Sequence, residues 1–254
     1  MNGSNEKSDV SSLVRLLSVL DLFTEDRLIW TTEAIAKAMA VSVPTSYRYI
    51  KVLLDSGLLQ RAANAQVTLG ARIMALDHII RMADPVLNVS KPFMQELIEQ
   101  TGFDCVMSGL YGEQMIDTHR EYGKTPLSLS YGRGRLRPLY RGGAPKAILS
   151  CYSPAQLRKL FDAHLPEIEE AKLPTDWTAH RQYFRAIRKA GYYFSNGELE
   201  PELAALAAPL QKSDGTIWGA VSVVSTVSRM SVVDIKKLAQ LVMRTAQDIT
   251  ARIP

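Results

Sequence analysis

Residues 28–61 read LIWTTEAIAKAMAVSVPTSYRYIKVLLDSGLLQR, and the order of breaks in this stretch decides the fold. Thr31 or Thr32 can cap a helix from Glu33 to Met39, whose small apolar face is Ala34, Ile35 and Ala38. Ala40-Val41-Ser42 makes a short turn. Pro44 suits the first turn of a second helix, because its missing N–H has no intrahelical partner there. That helix carries Tyr47, Ile50, Leu53 and Leu54 toward a core and stops at Gly57, which tolerates a left-handed C-cap. Two helices around a tight turn predict a helix-turn-helix. Leu58–Arg61 and Gln66–Leu69, strand-like runs around Ala62–Ala65, add the wing of a winged helix.

This geometry puts the start of the second helix into a DNA major groove, where exposed side chains reach base edges and the flanks meet phosphates. The outward candidates are Thr45, Ser46, Tyr47 and Arg48, with Lys51 further along; Tyr47 therefore stands in both the inward and the outward set. Arg48 is the favoured guanine contact or phosphate clamp. Upstream, Ser11–Thr24 (SSLVRLLSVLDLFT) predicts an amphipathic helix capped by Ser11 or Ser12. Downstream, Gly70–Ala83 predicts a connecting helix, with Asp77 and Arg81 paired across one turn and His78 on its surface.

The remaining two thirds alternate differently. Helix Val86–Gln100 precedes a hairpin of Asp104–Leu110 and Gln114–His119, then a third strand, Pro126–Tyr131. Helices follow at Gly142–Cys151, Pro154–Ala163 and Asp176–Ala190, then strands Leu203–Leu210 and Thr216–Thr226. A long final helix spans Ser231–Ile253, with Val232, Ile235, Leu238, Val242 and Ile249 on one face. Strands, helices and strands again predict an α+β arrangement rather than a βαβ parallel sheet.

At 254 residues the chain has room for two domains; 46% hydrophobic with 22% charged residues is ordinary for a globular protein, and 15 Gly with 12 Pro exclude collagen-like and largely disordered classes. No stretch of apolar residues is long enough to span a bilayer, so no membrane partner is expected. Met1–Val10 lacks the apolar run of a signal peptide, and Cys105 and Cys151 form no CxxC; a reduced, cytoplasmic protein is expected. The net charge of +4 is unevenly spread. From Arg120 to Lys146 seven bases face Glu121 alone, a denser cluster than that of the helix-turn-helix.

Together these stretches resemble the IclR-type bacterial transcriptional regulators. The helix-turn-helix with a wing ending in Thr68-Leu69-Gly70 looks like that family's N-terminal domain. RPLYRGGAPKAILS resembles its Leu-Pro-Leu-His…Gly-(small)-Gly-Lys-Ala signature, HRQYFRAIRKAGYYFSNGELEPELAALAAPL its Gly-Tyr…Glu…Ala-Ala-Pro signature, and TIWGAVSVVS its closing strand. Tyr140 stands where the family has His, and Pro145 replaces the Gly before Lys146. The resemblance implies a winged helix-turn-helix at 1–69, a linker helix at 70–84 and a GAF-like α/β effector-binding and oligomerisation domain at 85–254. It implies operator DNA, a small organic acid effector, self-association as dimer or tetramer, and RNA polymerase as a further partner should the protein activate.

By the same resemblance the effector pocket is lined by Leu127, Leu129, Arg137, Gly143, Ala144, Ser195, Leu203, Ala205 and Ser222. The residues themselves agree in outline: Gly142-Gly143-Ala144 at a helix start offers free N–H groups and a positive dipole end for a carboxylate. Arg133, Arg135, Arg137 and Arg141 crowd the approach, and Tyr131, Tyr140 or Phe194 can stack on an aromatic ring.

No catalytic residue, cofactor or metal is expected. His78, His119, His164 and His180 show no metal-ligand spacing, and Walker, Rossmann and GxSxG motifs are absent. Cys151 with His164 or His180 is the one nucleophile pair to weigh, against Cys as a buried hydrophobe. The alternative function is a metabolite-binding module or small-acid enzyme whose N-terminal domain serves protein contacts.

Overall fold

The computed structural model describes residues 12–112, 114–125, 127–129 and 132–254, which fall into two compact units meeting at Ala83/Asp84. In the first, α1 (12–17) is followed by a 3₁₀ turn at Leu20–Leu22. The expected helix to Thr24 breaks because Ser18 Oγ donates to the Val14 carbonyl and the next bonds tighten to three-residue spacing. Ser11, the other expected cap, lies outside the described residues.

Helix α2 (Thr32–Ala38) is capped by Thr31, and α3 (Val43–Asp55) by Ser42 with Pro44 in its first turn. Strands β1 (Leu59–Arg61) and β2 (Val67–Leu69) form the wing. Asn64 and Ala65 both have φ near +56°, as a tight hairpin turn requires. Trp30 adds a one-residue third strand, exchanging both backbone bonds with Val67 while its indole N–H donates to the Leu22 carbonyl. Val19, Trp30, Ile35, Tyr49, Ile50, Leu53, Leu59 and Val67 make the core. The inward set is thus corrected: Tyr49 packs inside, Tyr47 is exposed, and Leu54 is only half-buried. Helix α4 (Arg72–Ala83) buries none of its residues within its unit; His78 is exposed and Arg81 pairs with Asp77 at 2.8 Å.

The second unit opens with α5 (Pro85–Thr101), capped by Asp84 and closed by Gly102. Its sheet has the order β5-β4-β3-β8-β7-β6, antiparallel throughout. The strands are β3 (Asp104–Tyr111), β4 (Gln114–Glu121), β5 (Leu136–Arg137), β6 (Tyr193–Asn196), β7 (Leu203–Gln211) and β8 (Ile217–Thr226). Helices α6 (Gly143–Ser150), α7 (Pro154–Ala163), α8 (Leu165–Glu170) and α9 (Trp177–Ala190) lie between β5 and β6; α10 (Val227–Met230) and α11 (Ile235–Thr250) end the chain.

Alternation along the strands separates two cores. Cys105, Met107, Leu206, Ala208, Val221 and Val223 pack toward α5 and α11, and Met115, Ala207 and Ala220 toward α6 and α9. Two expectations change here. Residues 127–129 are not a strand, because the Leu127 N–H and carbonyl go to Asp104 and Arg120 instead of a ladder; Pro126 and Tyr131 lie outside the described residues. The edge is instead β5. The final helix is split, with Asp234 accepting from the N–H groups of Lys236 and Lys237 as a fresh N-cap and Val232 left 85% exposed.

Candidate functional site

On α3 the side chains expected to face DNA divide. Ser46 is fully buried, and its hydroxyl donates to the Thr32 carbonyl at 3.0 Å, fastening α2 to α3; it is not a DNA contact. The Thr45 hydroxyl is engaged with Ser42 at the cap, 2.9 Å away. Tyr47, Arg48 and Lys51 are exposed, and among the described residues neither Arg48 nor Lys51 has an ion-pair or hydrogen-bond partner. A cleft of about 290 Å³ between α3 and the wing adds Arg61 beside Tyr47 and Lys51. Two unpaired cations on one exposed helix face, with a third on the wing, can clamp phosphates on either side of a groove.

In the second unit the chemistry gathers where α6 starts over the sheet. Gly142 has φ +93°, a left-handed conformation that favours glycine, and a Cβ there would stand 3.0 Å from an Arg137 nitrogen. At Gly143 a Cβ would meet the Ala207 methyl at 3.2 Å and the Ala205 carbonyl at 3.4 Å, so the helix start rests on β7. Ser195 opposes Ala205, and Ser222 opposes Ala207, so the register places Ser195, Ala205, Ala207 and Ser222 on one sheet face. Leu203 lies two residues before Ala205 at the strand end. Ala144 is buried in α6, and the N–H groups of Gly143 and Ala144 have no acceptor among the described residues. Leu127 is held by Asp104 and Arg120; Leu129 is half-buried in the same loop.

The arginines expected at the approach serve mainly internal acceptors. Arg137, 6% exposed, pairs with Asp117 at 2.9 Å, and Ser108 Oγ donates to the same oxygen, Oδ1, at 2.7 Å. Asp117 Oδ2 is buried and has no hydrogen-bond partner among the described residues. Arg141 pairs with Glu170 at 2.7 Å, and Arg133 donates to the Thr118 carbonyl. Tyr140 is core, beside His164 and His180, and Phe194 faces the α5/α11 side; neither flanks the start of α6 as a stacking ring.

Sequence reasoning missed Glu198. Its Oε2 accepts from Gly142 N at 3.1 Å and pairs with Lys146 Nζ at 2.5 Å; Tyr193 donates to Oε1 at 2.7 Å, and Tyr183 donates to Tyr193. The protein's own carboxylate thus sits at the edge of the α6 N-terminus. Burial lowers the Lys146 ammonium, with Glu198 pulling the other way, and burial raises both tyrosines. The one signal was the spacing of the two family signatures, which carry this Lys and this Glu.

Nucleophilic chemistry finds no geometry. Cys151 Sγ points to the Ala147 carbonyl at 3.7 Å, burial raises its thiol, and His180 Nδ1 is taken by the Pro174 carbonyl. Among the described residues no group of three His, Cys, Asp or Glu could hold a metal, and no helix is long and apolar enough to cross a membrane.

Comparison with known proteins agrees with both halves. The IclR helix-turn-helix domain matches residues 12–63, and the bacterial transcriptional regulator IclR C-terminal domain matches residues 81–251. The regulator BhcR of Paracoccus denitrificans is 22% identical over 98% of this chain and 89% of its own, and the transcriptional repressor IclR of Escherichia coli 21% identical over 95% and 89%. An IclR family regulator from Brucella abortus shares the fold at TM-score 0.79 and 18% identity, covering 96% of this chain and 92% of that one. An IclR homologue from Microbacterium hydrocarbonoxydans, solved with 4-hydroxybenzoate, has TM-score 0.77 and 20% identity over 95% and 98%. These relatives are named as regulators, and the chain is a DNA-binding transcriptional regulator, not an enzyme. With both of its units matched in order, this chain belongs to the IclR family of bacterial transcriptional regulators.

Proposed function

We propose that α3 reads a pseudo-palindromic operator in the cytoplasm, and that a small organic acid, aliphatic or aromatic, changes operator affinity or geometry by binding at the start of α6. The regulated genes are catabolic, and RNA polymerase becomes a partner where the operator is placed for activation. The observation that carries the effector reading is the pair of N–H groups at Gly143 and Ala144 that have no acceptor among the described residues. The N–H pair suits a carboxylate. Arg137, held by Asp117, sets the polar wall beside it. The 4-hydroxybenzoate of the Microbacterium relative supports a small acid as the ligand class.

Self-association is supported by apolar side chains left uncovered: Leu13, Val14 and Leu17 on α1, and Met74, Ile79 and Ile80 on α4, are each more than half exposed. The test is a thermal-shift screen of the whole chain against aliphatic and aromatic acids. A ligand that binds only the folded state raises the melting temperature with concentration. A panel that leaves the melting temperature unmoved, or a hit that leaves operator binding unaltered, refutes the reading.

A further inference from the structure

Between Trp177 and Ala190, α9 carries Arg181, Arg185, Arg188 and Lys189 and no acidic residue. His180, Phe184 and Ile187 face the core, so the bases are left on the outer surface. Trp177, Arg181, Arg185 and Arg188 follow at intervals of four, four and three, one stripe along the helix. Like charges four residues apart repel, and among the described residues neither Arg181 nor Arg185 has a partner to relieve this. Arg188 is different. It is anchored by bonds from its guanidinium to the Ser150 and Tyr152 carbonyls, both 2.5 Å.

Depressions flank the arginine pair. One, of about 360 Å³, has Tyr152, Leu157 and Phe184 in its wall and Arg181, Arg185 and Arg188 at its rim. The other, of about 160 Å³, contains Trp177 and shares Arg181 and Arg185. Arg158 lies over the Trp177 ring at 5.2 Å and already has Asp162 as its partner. The free cations are therefore the two that separate the sockets. A lone small anion would use the charges and leave the Tyr152, Leu157 and Phe184 side of one depression and the Trp177 ring of the other wet. A peptide segment with carboxylates between apolar side chains would use all of it.

We propose that this face of α9 docks an acidic, apolar segment of a partner protein, its carboxylates on Arg181 and Arg185 and its apolar side chains in the two sockets. The surface shares no residue with α3 or with the start of α6, so the partner binds whether or not the effector reading holds. Charge complementarity sets the encounter and the apolar sockets hold the register.

The test uses the full chain and two short fluorescein-labelled peptides, Leu-Trp-Glu-Glu-Leu-Phe and Leu-Trp-Lys-Lys-Leu-Phe, read by anisotropy. The Glu peptide is expected to bind saturably and to weaken with salt, and the Lys peptide not to bind. The double variant Arg181→Glu/Arg185→Glu, which breaks no internal bond, is expected to lose the Glu peptide by at least roughly tenfold and to gain the Lys peptide. Thermal melting of the variant checks that it is folded, and Arg181→Gln/Arg185→Gln is expected to bind neither peptide. Equal binding of the Glu peptide to wild type and charge-reversed chain overturns the proposal. So does displacement of the peptide by inorganic phosphate at similar potency in both chains, or a loss of operator affinity in the variant, which would make the stripe a nucleic-acid surface.

Discussion

Replacing Arg48 by Ala separates the two roles that its exposed position allows. The side chain makes no bond within the chain, so unfolding free energy should stay within about 0.5 kcal/mol of wild type. As a phosphate clamp, Arg48 releases about 0.9 counterion per contact, so two heads on one operator account for a salt slope of about 1.8. Between about 50 and 200 mM salt, a fourfold change, wild type would then lose about twelvefold more affinity than the variant. As a guanine reader, Arg48 instead contributes about 1–3 kcal/mol per head at the operator and leaves the slope nearly unaltered. The assay is fluorescence anisotropy on an operator selected by the protein from random-sequence DNA, titrated at several salt concentrations and repeated on unrelated DNA. Loss of slope on both DNAs assigns the phosphate role; loss confined to the operator assigns the base role. A variant with unchanged affinity and unchanged slope would refute Arg48 as a contact and the placement of α3 in the groove.

Further outcomes follow from buried groups. Ser46→Ala removes the bond to the Thr32 carbonyl and should lower the urea stability of the first unit by about 1 kcal/mol; lost operator affinity at full stability would contradict its buried role. Glu198→Gln deprives the buried Lys146 of its charge partner and should cost about 2–4 kcal/mol in the second unit, with an unchanged melting curve as the contrary result. His180, enclosed by Phe161 and Phe184 rings at 4.9 and 5.0 Å, has its pKa lowered by burial. The unfolded chain therefore binds the proton more readily, and stability falls as pH drops below about 6.5, by at most about 1.4 kcal/mol per pH unit for this one group. His180→Phe should flatten that acid limb; equal pH slopes for the two chains would remove His180 as its source.

Elements with local stop signals were legible in the sequence. Helix α7 begins at Ser153-Pro154, with Gln156 completing a capping box, and α9 lies between Asp176 and Gly191, so both ends follow from side chains a few residues away. Asp234 carried the same kind of signal, but the apolar period from Val232 onward overrode it. The phase of α3 was harder, because Tyr47 and Tyr49 are chemically equal and only the neighbouring α2 decides that the small Ser46 goes inside. The site was less legible still. Arg137 finds Asp117 twenty residues back and Lys146 finds Glu198 fifty-two residues on. No local pattern says that a basic cluster will spend its charge internally.

Strand β7 reads LAALAAPLQ, and its short side chains have unequal freedom. Ala207 is wholly buried and lies 3.2 Å from where a Cβ on Gly143 would stand, so any larger group there must lift α6 off the sheet. Ala205, two residues earlier on the same face, is only half-buried. Its own Cβ is 3.5 Å from that same point, so a methyl or hydroxyl added at Ala205 would narrow the neighbouring space and press on the start of α6. Both alanines thus set the height of the helix start above the sheet, and the addition of a single atom at either is felt there.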